Sequence, residues 1–310
     1  MYKDLKYIST VGMTRETWLE ERRKRIGGSD AAGILGLNPY SSPLAVYMDK
    51  KGLIPEREDN LAMWLGREME EVVAKRFEIE TGKKVRRKNA IVINPRYPFA
   101  HANVDRVIVG ENAGLECKTT SELNMRRYKN GEYPANYYVQ CQHYNAICGF
   151  DRMYLKIIVG NREEKLFVIE RDEDEIDSLM AQEQAFYENY LLANTMPEPN
   201  GSDRDGALIS AEYPREDDSE ALDLSDMKEC FEAYVAANAL KAHYEAVINK
   251  AKQDIEARLG SASTGFCGGH KVTWRTQTRN DIDKAALKGM GIDIPYKQTT
   301  SRVFRFTAAK

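Results

Sequence analysis

The order of helical and strand-like patterns between residues 60 and 194 most restricts the fold of this chain. Residues 61–82 have apolar side chains at helical spacing and precede three strand-like runs within residues 83–121. A second helical segment, residues 135–149, is followed by two more strand-like runs and a charged helical segment, residues 172–194. Helices and strands in this order predict an α/β core around one mixed sheet flanked by helices.

Capping residues and apolar stripes give the expected helix boundaries. Residues 14–25 predict a first helix that begins with a threonine, and Ser29 or Asp30 is expected to cap a second, short helix. Asp59 or Asn60 is expected to cap the helix over 61–82. The predicted apolar stripe of that helix consists of Leu61, Leu65, Met69, Val72 and Phe77.

Composition excludes several classes of protein. The net charge is -3 and the isoelectric point is about 6.0, so any contact with nucleic acid must be local. The five cysteines form no CxxC pair, which argues against a disulfide framework or a zinc site. No apolar run approaches 18 residues and the N-terminus lacks an apolar signal segment, so we expect a cytoplasmic protein without membrane contact.

Changes in composition predict three parts of the chain. Residues 1–195 contain the α/β pattern, and residues 196–219 are rich in Pro, Gly and Asp, as in a linker. Residues 220–310 begin with a segment of about 40 residues without Gly or Pro that is typical of one long helix of about 60 Å. Two strand-like runs with basic side chains follow, including Lys271, Arg275, Arg279, Arg302 and Arg305.

Glu116 and Lys118 lie two positions apart on a strand-like run, so their side chains share one face. Asp105 lies on the preceding strand, and a turn folds that strand back against Glu116. Glu70 borders the apolar stripe of the 61–82 helix and can point toward the same cleft. These carboxylates form a candidate site for a hard divalent cation such as Mg²⁺. The alternative is a cross-strand Glu–Lys ion pair, with Asp105 and Glu70 as solvated carboxylates.

Four ordered blocks carry a resemblance to a known family. They are IGGSDAAGILGLNPYSSPLAVY, WLGREMEEVVAKRFE, HANVDRV with LECKT, and YYVQCQHYNA. Residues 18–170 resemble the YqaJ-type viral recombinase and lambda-exonuclease branch of the PD-(D/E)xK nucleases. Val104 stands where the nominal motif has proline.

The resemblance implies a restriction-endonuclease-like core and phosphodiester hydrolysis. Asp105, Glu116 and the main-chain carbonyl of Cys117 would hold one Mg²⁺, and Glu70 with Asp105 would help to hold a second, with Mn²⁺ as a substitute. Lys118 would orient or deprotonate water or stabilise phosphoryl charge. Gln140 falls at the family's glutamine position; without the family it would be read as a surface amide, and Gln142 is the weaker candidate.

The resemblance also implies a grip on a terminal 5′ phosphate. Arg22 and Ser29 follow Trp18 by four and eleven residues, a spacing similar to that of the lambda-exonuclease branch, and Asn103 falls at another phosphate-side position. On composition alone Arg22 is an ordinary solvated charge, with Arg23 and Arg25 as substitutes.

The expected function is therefore a 5′-to-3′ double-strand DNA exonuclease that leaves 3′ single-strand tails for phage-type recombination in a bacterial cytoplasm. Its expected partners are duplex DNA ends, a single-strand annealing protein and further copies of itself, with a ring as one arrangement. Two alternatives stay open: a structure-specific or restriction-like endonuclease, and a non-catalytic DNA-end-binding protein. The basic strands of the C-terminal part either follow the DNA backbone or cover the long helix.

Overall fold

The computed structural model describes residues 4–54, 60–124, 132–217, 221–279 and 282–291, together with residues 295, 298, 304 and 306. The chain forms two compact units, Met1–Pro214 and Arg215–Lys310. The first unit contains the sheet and every residue predicted for the site. Within the described residues, no helix is long and apolar enough to cross a membrane.

The N-terminal region of the first unit is mainly helical. Its elements are β1 (Lys6–Ser9), α1 (Arg15–Arg23), β2 (Ile26–Gly27), α2 (Gly28–Ile34), α3 (Pro43–Lys50) and α4 (Leu61–Thr81). Asn60 caps α4 through a bond from the Met63 N–H to its side-chain oxygen, while Asp59 lies outside the described residues. The prediction that Ser29 or Asp30 caps α2 is wrong, because Gly27 is the N-cap. Asp30 instead reaches back and accepts the N–H of Gly27 at 2.8 Å.

The remainder of the core alternates strands and helices. Its elements are β3 (Val85–Arg87), β4 (Ala90–Ile93), β5 (Ala100–His101), β6 (Arg106–Ile108), β7 (Ala113–Thr120), α5 (Ala135–Cys148), β8 (Arg152–Val159), β9 (Glu163–Glu170) and α6 (Glu173–Phe186). A five-stranded sheet has the order β3-β6-β7-β8-β9. β7 and β8 are parallel and the other neighbours are antiparallel, so the predicted mixed sheet is confirmed. The short pairs β1-β4 and β2-β5 lie outside this sheet.

Different helices cover the two faces of the sheet, as the alternating side chains of β8 show. Met153, Leu155 and Ile157 belong to the main core with residues of α5. Tyr154 belongs to a second cluster with Phe77 of α4. Since successive strand residues face opposite sides, α4 and α5 cover opposite faces of the sheet. This arrangement determines which face each candidate residue of β7 occupies.

The apolar stripe of α4 differs from the prediction. Leu61, Leu65 and Val72 are exposed, and the buried residues of the helix are Val73, Ala74 and Phe77. The helix therefore contacts the sheet through its C-terminal half, where Phe77 packs edge-on against Tyr154. Helical spacing identified the element, but it could not show how many turns reach the sheet.

The segment predicted as a linker, residues 196–219, differs in the structure because it contains helix α7 (Asp203–Glu212). Ser202 caps this helix, and its acidic first turn suits a helix N-terminus. Asp205 is buried and accepts a hydrogen bond from the Ser42 hydroxyl at 2.6 Å. The turn-like composition of this segment thus marks the start of a helix that belongs to the first unit, where Asp205 joins it to Ser42.

The second unit contains α8 (Lys228–Leu259), the antiparallel hairpin of β10 (Thr264–Cys267) and β11 (His270–Thr273), and α9 (Lys284–Gly289). Helix α8 has 32 residues, which corresponds to about 48 Å and is shorter than predicted. Lys271 lies on β11, and Arg275 and Arg279 follow that strand. Arg302 and Arg305 lie outside the described residues.

Candidate active site

Glu116 and Lys118 form the centre of the candidate site, on the face of β7 that α5 covers. The ammonium of Lys118 lies 2.5 Å from Oε1 of the buried Glu116, and Gln140 of α5 donates to the same oxygen at 2.8 Å. Lys118 also lies over the ring of Tyr137. Among the described residues, no donor reaches the buried Oε2 of Glu116. Both existing contacts therefore orient Glu116 while leaving one oxygen available.

Asp105 reaches this centre because β6 and β7 are antiparallel. Arg106 pairs with Leu115, and the N–H of Cys117 donates to Asp105 Oδ2 at 2.8 Å. Burial raises the pKa of Asp105 well above its usual value, and the negative charges of Glu116 and Glu70 raise it further, against the opposing effect of Lys118. Two predicted carboxylates are thus held next to each other, Asp105 directly before β6 and Glu116 on β7.

The charge on Lys118 follows from the same neighbours. Burial lowers its pKa, but the carboxylates of Glu116 and Asp105 more than offset burial, and the net pKa is raised above the ordinary lysine value. The 2.5 Å contact with Glu116 places the Lys118 nitrogen beside the two carboxylates, the position that both roles predicted for Lys118 require.

Glu70, the third predicted carboxylate, has a different partner in the structure. The guanidinium of Arg106 contacts Glu70 and also donates to the main-chain oxygen of Asp105 at 2.7 Å. A cavity of about 220 Å³ is lined by Glu70, Asn103 and Asp105, so Glu70 borders the same space as Asp105. Across the described residues, no group of three or more His, Cys, Asp or Glu side chains is close enough to hold a metal ion.

The donors nonetheless fit a hard divalent cation. Asp105 and Glu116 offer carboxylate oxygens, and Cys117 has a main-chain carbonyl between Glu116 and Lys118. The buried Glu116 Oε2 is the specific observation, since a buried carboxylate oxygen without a donor is costly until a proton or a cation reaches it.

Arg22 and Ser29 are in contact, as a joint role at a phosphate requires. Arg22 Nη2 donates to Ser29 Oγ at 3.2 Å, and the guanidinium lies 4.5 Å from the ring centroid of Trp18. The Nε of Arg22 is buried and has no hydrogen-bond partner within the described part of the chain. We call Arg22 and Ser29 the phosphate pair; Arg22 Nε is its one buried donor without an acceptor among the described residues.

A buried ion pair holds the backbone on both sides of the phosphate pair. Lys50, at the end of α3, lies 2.5 Å from Asp30 Oδ2 and donates to the main-chain oxygen of Arg22 at 3.0 Å. Asp30 in turn binds the N–H of Gly27. The pKa of Asp30 is lowered although burial raises it, because Lys50 and then Arg22 stabilise the carboxylate. Lys50 therefore fixes the end of α1 relative to the start of α2.

Gly28, next to Ser29 in the chain, lies close to side chains that bind Glu116 or its partner Gln140. A Cβ at Gly28 would lie 2.6 Å from the Tyr144 ring and 3.2 Å from Cγ of Gln140. Gln140 donates to Glu116 and, at 3.0 Å, to the Tyr144 hydroxyl. One layer of side chains thus separates the backbone beside Ser29 from Glu116.

The other predicted polar residues take distinct positions. Asn103 lines the cavity beside Asp105, and its buried Oδ1 accepts no hydrogen bond from the described residues. Gln142 points away from Glu116 and donates to the Tyr138 hydroxyl and to the main-chain oxygen of Glu170. Of the two glutamines, Gln140 is therefore the one that contacts Glu116, and its role at the site stays a prediction.

Comparison with known proteins identifies the family. The model of the YqaJ-like viral recombinase domain matches residues 17–151. The protein of Bacillus subtilis (strain 168) described as "Uncharacterized protein YqaJ" is 36% identical over 297 residues, which cover 94% of this chain and 93% of that protein. The chain belongs to the YqaJ family. The resemblance predicted from the four sequence blocks is confirmed.

Solved structures show a weaker likeness to this YqaJ-family chain. The crystal structure of an alkaline exonuclease from Laribacter hongkongensis has a TM-score of 0.48 and 21% identity over 58% of this chain and 94% of that one. The same exonuclease in complex with dAMP has a TM-score of 0.49 at the same identity and coverage. The family assignment rests on the Bacillus relative.

Sequence reasoning missed three residues of this YqaJ-family site. Arg106 directly follows Asp105, but nothing in the pattern indicates that it would contact Glu70 on α4. Lys50 and Asp30 are 20 positions apart on separate helices, so no local periodicity relates them. The Gly27-Gly28 pair was the one available signal, because adjacent glycines often mark a close approach of the backbone to other groups.

Proposed function

We propose that this protein is a metal-dependent 5′-to-3′ exonuclease of double-stranded DNA that leaves 3′ single-strand overhangs. The observation that carries the proposal is the close approach of Gly28 to Gln140 and Tyr144, which leave no room for a Cβ at Gly28, so that one side-chain layer lies between the backbone beside Ser29 and Glu116. A hydrolytic centre next to a terminal-phosphate grip would act at ends, because the grip determines which phosphodiester reaches the centre.

Each residue has a chemical role in this proposal. A bound Mg²⁺ or Mn²⁺ would supply a Lewis acid and an activated water. Asp105, Glu116 and the Cys117 carbonyl would hold one ion, and Glu70 with Asp105 a second. The Lys118 ammonium would hold a phosphoryl oxygen as negative charge develops, and the Gln140 amide would orient Glu116 and the attacking water.

The phosphate pair would recognise the 5′ end. The guanidinium of Arg22 presents a planar set of donors that matches phosphate oxygens, and the Ser29 hydroxyl adds another. Asn103, which lines the cavity beside Asp105, would contact the phosphate nearest the scissile bond.

End-labelled duplexes test the proposal. Wild-type protein in Mg²⁺ should digest 5′-phosphorylated linear duplex faster than 5′-hydroxyl duplex, and it should release label first from the 5′ end. Arg22→Gln should remove this preference, whereas the matched control Lys24→Gln, which changes an exposed cation on the same helix end, should retain it. Glu116→Gln should reduce cleavage by about 10²–10³-fold or more.

Other outcomes would contradict the proposal. Rapid nicking of closed circular DNA would identify an endonuclease. Binding to DNA ends without cleavage, unchanged by Mg²⁺ or by EDTA, would identify a non-catalytic end-binding protein. Equal digestion of phosphorylated and hydroxyl ends would remove the phosphate pair from the mechanism.

We further propose that the protein acts in recombination by single-strand annealing, in a bacterial cytoplasm, with an annealing protein that coats the 3′ overhang. We also propose that it works as a homo-oligomer, of which a ring around the duplex is one form. Light scattering with and without DNA measures the oligomeric state, and a monomer that digests long duplexes processively would argue against a ring.

A further inference from the structure

Arg106 is a buried cation at the centre of the candidate site. Its side chain is 3% exposed, and both terminal nitrogens are engaged. Nη1 contacts Glu70 and donates to the main-chain oxygen of Asp105, while Nη2 donates to Glu71 at 3.0 Å. The guanidinium thus binds a carboxylate to which we have assigned a metal ion.

Glu70 and Glu71 differ in what they can do at this position. Glu71 is 67% exposed and is also bound by Arg87 at 2.9 Å, on the outside of the protein. Glu70 lines the cavity that Asp105 also lines. If Glu70 left Arg106, Nη1 would keep the Asp105 carbonyl and Nη2 would keep Glu71. The buried guanidinium would therefore not be left without partners, and Glu70 is free to exchange one cation for another.

We propose that Arg106 competes with a divalent ion for Glu70 and so sets the affinity of the second ion position. Arg106 is a positioning residue in this scheme: it holds Glu70 until an ion displaces it. The first ion, at Asp105 and Glu116, does not require Glu70 and binds more tightly than the second. The inference rests on the proposed metal site and adds the reason why the two ion positions differ in affinity.

Charge supports the competition. The carboxylates Glu70, Glu71, Asp105 and Glu116 are matched in number by the cations Arg87, Lys88, Arg106 and Lys118. Once one divalent ion is bound the site is formally positive, so a second ion enters against repulsion. Like charges in a site shielded from solvent repel strongly, so removal of the Arg106 charge should favour the second ion.

Calorimetric titration of Mn²⁺ into the full-length protein without DNA tests the proposal. Wild type should bind one ion tightly and a second weakly. Arg106→Gln should tighten the second ion by about 10–100-fold, the range in which changes around metal ligands alter affinity. Arg106→Lys keeps the positive charge but loses the two-nitrogen geometry of the guanidinium. Its affinity for the second ion should lie between those of wild type and Arg106→Gln. The matched control Arg96→Gln removes an exposed arginine that pairs with Asp177 and does not line this cavity, and it should leave both ions unchanged.

A second variant works in the opposite direction and does not disturb a buried group. Glu71→Gln removes the exposed carboxylate that Arg106 binds through Nη2. Among the described side chains, Glu70 is then the carboxylate left to pair with Arg106. The second ion should then bind about tenfold more weakly. Glu70→Gln should abolish the second ion, and Arg106→Gln should have no effect on ion binding in that background.

The outcomes separate this inference from the proposed function. If neither wild type nor Asp105→Asn binds Mn²⁺, the metal site itself is wrong. If wild type binds an ion that Asp105→Asn loses, but Arg106→Gln and Glu71→Gln leave the second affinity unchanged, the competition is wrong. Weaker binding of the second ion by folded Arg106→Gln would also overturn the proposal, because it would make Arg106 a support of the metal-bound state.

Discussion

Gly28→Ala tests whether the phosphate pair and Glu116 depend on one packed layer. Gly28 is the first residue of α2, and its backbone has no conformational need for glycine, since its φ is not positive. An added Cβ would lie 2.6 Å from Cε1 of Tyr144 and 3.2 Å from Cγ of Gln140. Tyr144 is buried, so its ring cannot move into solvent. The methyl group must therefore displace the layer that carries Gln140.

The expected loss of stability follows from two opposing effects. Overpacking of a filled core costs about 1–3 kcal/mol. Alanine gains about 0.5–1 kcal/mol over glycine within a helix, and less at a first position. We expect the free energy of unfolding to fall by about 1–2 kcal/mol. A displaced Gln140 would also lose its bond to the Glu116 carboxylate, and a charged hydrogen bond of about 1.5–3 kcal/mol corresponds to a fall in cleavage rate of about 10–100-fold.

Urea unfolding and duplex cleavage measure both effects. Gly66→Ala is the matched control, because no atom lies within 4 Å of its added Cβ on helix α4. That control should gain about 0.5–1 kcal/mol and keep full activity. Tyr144→Leu should relieve the clash, so Gly28→Ala should cost less in that background. If Gly28→Ala keeps wild-type stability and cleavage, the packed layer does not limit this position. If its effect on the free energy of unfolding simply adds to that of Tyr144→Leu, the clash with Tyr144 is not the cause.

Three further changes test other contacts of the core. Arg76 is the main group that holds the pKa of Glu164 at about 2, so NMR titration of Arg76→Gln should show this pKa rising toward 4.5. Because the folded pKa of Glu164 is depressed, the contribution of this ion pair to folding stability is present above about pH 4.5 and is lost as the pH falls toward 2. A Glu164 titration that is unchanged in Arg76→Gln would contradict this role of Arg76. Lys50→Met leaves the buried Asp30 carboxylate without its ammonium and should lower stability by about 3–5 kcal/mol in urea, whereas a value under 1 would mean the pair is solvated. Phe77→Ala leaves a cavity between α4 and the sheet and should lower the free energy of unfolding in urea by about 3–5 kcal/mol. A much smaller loss would mean that the helix moves in to fill the cavity.

Local pattern was sufficient to predict the parts of the site that lie on regular elements. Alternation along β7 placed Glu116 and Lys118 on one face, and helical spacing on α5 separated Gln140 from Gln142. Both results depend on the fixed periods of strand and helix, which hold in any tertiary context. The contact of Arg22 with Ser29 came from the spacing seen in the family, because composition favoured a solvated arginine.

Contacts between distant segments could not be predicted in this way. The exposed stripe of α4 satisfies helical spacing as well as the buried residues Val73 and Phe77 do, and only the position of the sheet decides between them. The pairing of Glu70 with Arg106 depends on the same position. Since α4 and β6 are separated by three strands in the chain, no short-range pattern relates their side chains.

The distance between the two halves of the candidate site is set by a short pair of strands. β2 and β5 are parallel, with Ile26 beside Ala100 and Gly27 beside His101. The phosphate pair lies within four residues of β2, and Asp105 lies four residues after β5. Both halves are therefore tied to one strand register, and under the proposed function this register would hold a terminal phosphate at a fixed distance from the carboxylates. That distance would select one phosphodiester near an end without base contacts, so we expect cleavage to depend on the end group and not on sequence.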